Sequence, residues 1–170
     1  GLNVDISSRP QVLGDVADSR FGLQLLALPD TNGDGHDELV AVSQTTEGTR
    51  LHVLYGGDTF FEHTASLTDR IDISRESDRT VPFMAAGDLD ADGLGDLVVG
   101  NGDADSVYVF LDGTLGSKPS LTPLDADAEM LGEPGSGFGT SLGFVDALDA
   151  DGQDELVVAA PVGDGSVYLV

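Results

Sequence analysis

Short apolar runs, separated by turns rich in Asp and Gly, recur along the whole chain. Residues 2–6 alternate apolar and polar side chains, which is the pattern of a half-buried strand. Outer strands are expected within residues 60–73 and 117–130, the second as an edge strand with a polar loop, because Pro is tolerated mainly at sheet edges. Further strands are predicted at residues 20–28, 39–42, 50–55, 97–99, 106–111, 156–161 and 165–170. Long helical periodicity is missing, so the pattern predicts an all-β protein.

This pattern repeats at a nearly constant interval. Asp34 and Asp92 are 58 residues apart, and Asp92 and Asp151 are 59 residues apart. A period of this size, with about four short strands in each copy, is typical of β-propeller blades. A β-sandwich with decorated turns is the competing architecture, but it does not account for the constant period. We therefore predict an all-β fold, a β-propeller built from four-stranded blades, with three blades in this chain.

The whole chain, residues 1–170, is predicted to form a single propeller region. An outer strand is expected within residues 1–14, and the repeats cover approximately residues 20–79, 80–136 and 137–170. Three blades are too few for a closed ring, because propellers typically have about four to eight. The chain is therefore expected to be a piece of a longer propeller or, as we favour, to form a homodimer that closes a six-bladed ring. In that dimer, residues 2–6 complete the blade that ends at Val170.

Each repeat contains an acidic loop between two predicted strands. In the central loop, carboxylates alternate at Asp88, Asp90 and Asp92, so that three side chains converge while Gly93 permits the sharp turn. Hard oxygen ligands gathered in this way suit Ca²⁺. An EF-hand is excluded because Val99 occupies the position of its bidentate Glu. An acidic hairpin turn would explain one such loop, but the same loop appears three times.

The ligand positions predicted for calcium correspond between the three loops. In the first loop they are Asp30, Asn32, Asp34, His36 (through its backbone carbonyl) and Glu38. In the second they are Asp88, Asp90, Asp92, Leu94 and Asp96, and in the third Asp149, Asp151, Gln153 and Glu155. Ala147 occupies the first position of the third loop, where Asp146 could substitute only if the backbone bulges. We therefore expect two calcium sites and a third that is weakened or empty.

Charge restricts the partners that this chain can bind. Asp and Glu number 31 against 7 Lys and Arg, which gives a formal net charge of −24. Nucleic acids and anionic membranes are therefore poor partners. Calcium would offset several of these charges, and halophilic or marine adaptation is a competing cause of the acidity. Cysteine is absent, so disulfides are excluded, and none of the apolar runs is long enough to span a membrane.

Two further sequence elements accompany the acidic loops. Phe21-Gly22 lies nine residues before Asp30, and Phe138-Gly139 has the same relation to Ala147. Ala159-Ala160-Pro161 follows the third loop in the position of a Gly-Ala-Pro element. Together with the loops, these elements resemble the FG-GAP repeat of the integrin α-subunit propeller and its bacterial relatives. Two repeats depart from the pattern: Thr80-Val81-Pro82-Phe83 replaces Phe-Gly in the second, and Ala41-Val42-Ser43 replaces Gly-Ala-Pro in the first.

The resemblance implies a strand order and a function. The calcium loop would join the innermost strand of each blade to the second strand. The protein would be a calcium-stabilised, secreted or cell-surface module that binds a protein or carbohydrate ligand, without catalysis of its own. A scaffold within a secreted polysaccharide-active enzyme and a purely structural part of a larger surface protein are the alternatives. Residues 139–143 match the Gly-x-Ser-x-Gly nucleophile elbow, but no helix is predicted after them, so we interpret the match as coincidence.

Overall fold

The computed structural model describes residues 11–14, 17–46, 48–57, 70–76, 82–117, 120–146, 148 and 154–170. Regular structure within these residues is almost entirely β, which confirms the predicted class. The strands are β1 Leu25–Leu28, β2 Glu38–Gln44, β3 Gly48–Leu54, β4 Arg70–Glu76, β5 Phe83–Gly87, β6 Asp96–Asn101, β7 Ser106–Phe110, β8 Ser120–Leu121, β9 Ala128–Leu131, β10 Ser141–Asp146, β11 Asp154–Ala160 and β12 Ser166–Leu169. A four-residue helix, α1, spans Asp112–Leu115, and a 3-10 turn spans Pro123–Asp125.

The described strands form three sheets that follow one another along the chain. Their orders are β1-β2-β3-β4-β8, β5-β6-β7-β9 and β10-β11-β12. Neighbouring strands are antiparallel, apart from β8, which runs parallel to β4. The first hairpin of each sheet ends at the pairs Leu28↔Glu38, Gly87↔Asp96 and Asp146↔Asp154. Each acidic loop therefore joins the first strand of a sheet to the second, in the strand order that the resemblance implied.

Two apolar cores hold the three sheets against one another. The first core lies between sheets one and two, and combines Leu28 and Leu51 with Leu97 and Phe110. The second lies between sheets two and three, and combines Val98 and Val107 with Leu156 and Val158. Successive residues of β6 thus face opposite neighbours, as the two-residue period of a strand requires. The first strands are also adjacent, β1 beside β5 and β5 beside β10.

The Phe138-Gly139 element packs the third sheet against the second. Phe138 is buried in the core between these sheets, and the Gly139 N–H donates to the Ala159 carbonyl at 3.0 Å. Gly139 has φ +88°, and a Cβ there would lie 2.7 Å from the Ser106 carbonyl oxygen. Glycine is therefore required both by the backbone conformation and by the close approach of the two sheets.

Asp105, which the sequence analysis did not single out, fixes the segment before this element. Its carboxylate accepts the N–H groups of Gly135 and Gly137 at 2.6 Å each and that of Phe138 at 3.3 Å. These hydrogen bonds lower the pKa of Asp105, the one from Gly135 contributing most. The sequence does show an Asp in the β6–β7 turn and a Gly-rich segment about 30 residues later. It contains no local feature that indicates a contact between the turn and that segment.

Several predicted strand boundaries were wrong or incomplete. The strand predicted at residues 20–28 begins only at Leu25, because Gly22 has φ +84° and the Leu23 N–H turns back to the Arg20 carbonyl. The edge strand with a polar loop predicted within residues 117–130 is found as two short strands, β8 and β9, separated by the 3-10 turn, whose start is fixed by a capping box between Thr122 and Asp125. The predicted strand at residues 60–73 is described only from residue 70, within β4, and residues 2–6 lie outside the described residues.

Candidate metal centres

The loop between β1 and β2 is folded around the side chain of Asp30. Asp30 Oδ1 accepts the N–H groups of Asn32, Gly33 and Asp34 at 3.1, 2.7 and 3.3 Å, and Oδ2 accepts that of Gly35 at 2.7 Å. These bonds, led by the one from Gly35, lower the pKa of Asp30. The carboxylate therefore stays ionised while the backbone wraps around it.

Two further side chains of this loop bond to the residue two positions ahead. Asn32 Oδ1 accepts the Asp34 N–H, and Asp34 Oδ1 accepts the His36 N–H, both at 2.9 Å. Turns of this kind are an ordinary use of Asx side chains. Together with the hydrogen bonds to Asp30, these bonds fix the loop as one tight turn.

Glu38, the first residue of β2, points into this loop from the protein interior. Only 3% of the residue is exposed, and Oε2 accepts the Thr31 N–H at 2.8 Å. The other oxygen, Oε1, is buried and accepts no hydrogen bond within the described part of the chain. Burial raises the pKa of Glu38. A buried carboxylate oxygen without a partner is costly unless a cation compensates it.

Asp30, Asp34 and Glu38 each place a carboxylate oxygen within 4.8 Å of those of the other two. Three converging carboxylates, one of them with an unsatisfied buried oxygen, fit a hard divalent cation. We call this set the first acidic cluster. If the cation is Ca²⁺, these side chains would hold it, and it would offset most of the negative charge that the loop concentrates.

The loop between β5 and β6 has a closely similar internal structure. Asp88 accepts the N–H groups of Asp92 and Gly93 at 3.1 and 2.9 Å, and Asp92 Oδ1 accepts the Leu94 N–H at 2.8 Å. The last contact is equivalent to the one between Asp34 and His36. Carboxylate oxygens of Asp88, Asp90 and Asp92 lie within 4.8 Å of one another and form the second acidic cluster.

Asp96 differs from Glu38, although the two occupy equivalent positions in the sequence. Asp96 is fully buried, and it accepts the Leu89 N–H through Oδ2 at 2.8 Å and the Asp112 N–H through Oδ1 at 3.0 Å. Burial raises its pKa to about 6, against the opposing effect of these two bonds. Asp96 therefore ties the second loop to the start of α1 and lies outside the set of three carboxylates. Its role as a metal ligand stays a prediction.

Most of the third loop lies outside the described residues, including the predicted ligands Asp149, Asp151 and Gln153. Glu155 is described, and its Oε2 accepts the Leu148 N–H at 2.7 Å. Glu38 makes the same contact with Thr31, and Asp96 with Leu89, each across seven residues. In each of the three loops, the side chain of the last acidic residue accepts an equivalent hydrogen bond from the backbone N–H of the residue after the first ligand position. This second role of the last acid was not predicted from the sequence.

The first and second loops also touch each other. The Gly95 N–H donates to the Asp30 carbonyl oxygen at 2.8 Å. A Cβ on Gly95 would clash with the carbonyl oxygen of Pro29, so the two backbones meet with no side chain between them. The two acidic clusters are therefore neighbours at one end of the adjoining sheets.

Residues 139–143, which match a nucleophile elbow, lead directly into a strand. Ser141 is the first residue of β10, which continues to Asp146. A nucleophile elbow instead requires a turn that leads from a strand into a helix. The interpretation of this match as coincidence is therefore supported by its structural context.

These observations define an all-β protein of repeated sheets, in which the first hairpins of the first two sheets carry clustered carboxylates. The family model described as "FG-GAP-like repeat" matches residues 30–99, which run from the first ligand position of the first loop to the β6 strand. This chain therefore contains an FG-GAP-like repeat, and the resemblance drawn from its motifs is confirmed.

A curated relative matches a longer part of the chain. Phosphatidylinositol-glycan-specific phospholipase D of Rattus norvegicus is 31% identical over 159 residues. The match covers 82% of this chain but only 19% of that protein. Among the described residues, no helix has the length and apolar character that crossing a membrane requires.

Proposed function

We propose that this chain is a calcium-stabilised β-propeller region that serves as a ligand-binding or adhesion module and has no catalytic activity of its own. The observation that carries the calcium proposal is the convergence of the Asp30, Asp34 and Glu38 carboxylates, with Glu38 Oε1 buried and accepting no hydrogen bond within the described part of the chain. The FG-GAP-like repeat supports the binding role and a location outside the cell or at its surface. The ligand would be a protein or a carbohydrate.

The packing of the sheets supports the propeller. The three sheets stack in sequence order, and their first strands β1, β5 and β10 are adjacent. Blades arranged around a central channel place their first strands next to one another in the same way. Each sheet would then be one blade, with the acidic loops together on one face and other loops free to contact a ligand.

Calcium is favoured over magnesium by the form of the loops. Both clusters combine several carboxylates on an irregular loop, and Ca²⁺ accepts about six to eight oxygens in a flexible geometry. Mg²⁺ requires a tighter octahedral shell and gives up water reluctantly. Ca²⁺ would supply charge neutralisation and hold each first hairpin in shape, and no chemical step is assigned to it.

Calorimetric titration of the metal-free protein tests this proposal and the inequality of the three loops. We expect two tight calcium sites and a third that is weak or vacant, because Ala147 removes one carboxylate from the third loop. Glu38→Gln should remove one tight site, whereas Asp164→Asn, which removes an exposed charge from the β11–β12 turn, should remove none. Three equivalent tight sites would contradict the inequality, and the absence of calcium binding would overturn the proposal.

We further propose that two copies join to close a six-bladed ring. Among the described strands, β12 forms an edge of the third sheet, and it exposes apolar side chains, with Val167 69% and Leu169 60% accessible. An exposed apolar edge strand invites pairing with another strand. The alternating residues 2–6, from the same or a second copy, would provide it.

Light scattering decides between the dimer and a monomeric state. We expect the mass of a homodimer, and we expect deletion of residues 1–8 to dissociate or unfold it. A stable monomer that remains unassociated at high concentration would contradict the dimer and favour a piece of a longer propeller. The calcium proposal does not depend on the result, because both clusters lie within single loops.

A further inference from the structure

We propose that the first and second acidic loops bind calcium as a coupled pair, so that an ion in either loop strengthens binding in the other. This inference rests on the proposed calcium binding and adds to it a mechanism by which the two sites communicate. It arises from the contact between the loops, which neither the spacing of the acids nor the family match indicates.

The contact is made by backbone atoms at positions that also organise the two clusters. The Gly95 N–H donates to the Asp30 carbonyl oxygen at 2.8 Å, and the Asp30 side chain accepts four N–H groups of its own loop. Gly95 lies between Leu94, whose N–H donates to Asp92, and Asp96, which closes the second loop on Leu89. Asp30 therefore contacts both loops. Its side chain accepts hydrogen bonds within the first loop, and its backbone carbonyl oxygen accepts one from the second loop.

No side chain separates the loops at this point. A Cβ on Gly95 would clash with the Pro29 carbonyl oxygen and lie 2.8 Å from the Pro29 carbonyl carbon. Gly95 and Asp96 are buried, whereas Asp34 and Asp92 near the loop tips are exposed. The loops can therefore rearrange at their tips, but a shift at their bases is transmitted directly from one to the other.

The direction of the coupling follows from the ordering of the loops. An ion that fixes one loop also fixes the backbone contact, so the second ion binds a loop that has already lost part of its conformational freedom. Electrostatics acts in the opposite direction, because the first ion makes the local potential less negative. Three carboxylates nevertheless outweigh the two charges of one Ca²⁺, so a filled first loop is still not positive. Salt weakens the interaction between exposed charges, so we expect the ordering effect to dominate at about 0.15 M salt.

Single-loop variants of the full chain measure this coupling. Asp34→Asn and Asp92→Asn each keep an oxygen that can accept the backbone N–H but remove the carboxylate charge from one loop. In about 0.15 M salt, calorimetry with Ca²⁺ should show at least about 5-fold weaker binding in the second loop of Asp34→Asn than in the unsubstituted chain. Asp92→Asn should weaken the first loop by the same factor, because thermodynamic coupling is reciprocal. Asp164→Asn removes an equal charge elsewhere and should leave both affinities unchanged.

A second pair of variants separates the contact from the charge. Gly95→Ala keeps every carboxylate but forces the loops apart, so the two ions should bind independently. Gly113→Ala is the matched control, because a Cβ there has no atom of the described residues within 4 Å.

Unchanged or tighter binding in the remaining loop of Asp34→Asn and Asp92→Asn would overturn the coupling while leaving calcium binding intact. If Gly95→Ala does not fold, these two variants decide alone. If the unsubstituted chain binds no calcium, the proposed function and the coupling both fail.

Discussion

Removing calcium should lower the midpoint of thermal unfolding, and restoring calcium should raise it again. An ion that binds only the folded state adds about 2.7 kcal/mol for each site when its free concentration is 100 times Kd. For two sites in a chain of this size, the shift is roughly 10–20 °C. The measurement is scanning calorimetry in excess chelator and in excess Ca²⁺, with metal content verified in both samples.

Substitution within a cluster should reduce this calcium-dependent shift. Asp92→Ala removes a carboxylate from the second acidic cluster and should remove about half or more of the shift, because the first loop also loses its ordered neighbour. Asp164→Ala, in the exposed β11–β12 turn, is the matched control and should retain the full shift. Magnesium should restore little of the stability. Identical melting curves with and without chelator, after verified metal removal, are incompatible with calcium stabilisation.

Gly139→Ala should cause a large loss of stability, because it combines backbone strain with a close approach between two sheets. The left-handed backbone at φ +88° costs an L-residue about 1–2 kcal/mol. The new methyl group would also press on the Ser106 carbonyl oxygen at 2.7 Å and on Val107 Cγ2 at 2.9 Å, which adds about 1–3 kcal/mol of overpacking. The total of roughly 2–5 kcal/mol corresponds to a melting point lower by roughly 5–20 °C.

Two other glycines separate backbone strain from inter-sheet packing. Gly22 occupies the equivalent position of the first repeat, with φ +84°, but within the described residues no atom lies within 4 Å of its Cβ position. Gly22→Ala should therefore lose only about 1–2 kcal/mol. Gly143 in β10 has neither a positive φ nor a close neighbour, so Gly143→Ala should be nearly neutral. Equal losses for Gly22→Ala and Gly139→Ala would show that the sheets do not approach as closely as described.

The acidic loops were predictable because their structure is local. Asp30 and Asp88 accept N–H groups from residues only two to five positions ahead, so the spacing of the acids and glycines alone determines the turn. The hairpins that contain these loops were equally predictable, because two apolar runs joined by such a tight turn pair most simply as two antiparallel strands. The period of the repeat then predicted three similar sheets, and all three are found among the described residues.

The differences between the loops depend on partners far away in the sequence. Glu38 and Asp96 hold equivalent positions, yet only Asp96 meets the N–H of Asp112, which arrives from the end of β7. The hydrogen bond between Gly95 and Asp30 joins the loops of two different sheets. Strand β8 follows β7 of the second sheet in the sequence, yet it pairs in parallel with β4 of the first sheet. Contacts of this kind arise from the packing of whole sheets, and a one-dimensional pattern does not contain them.

Anomalous diffraction from crystals grown with calcium would locate the ions in the acidic loops. We expect a peak about 2.3–2.6 Å from carboxylate oxygens of Asp30, Asp34 and Glu38, with Glu38 Oε1 among the ligands. A second peak should lie between Asp88, Asp90 and Asp92. Absence of a peak at the first acidic cluster at saturating calcium, with Glu38 Oε1 contacting only water or protein, would contradict calcium binding by this loop.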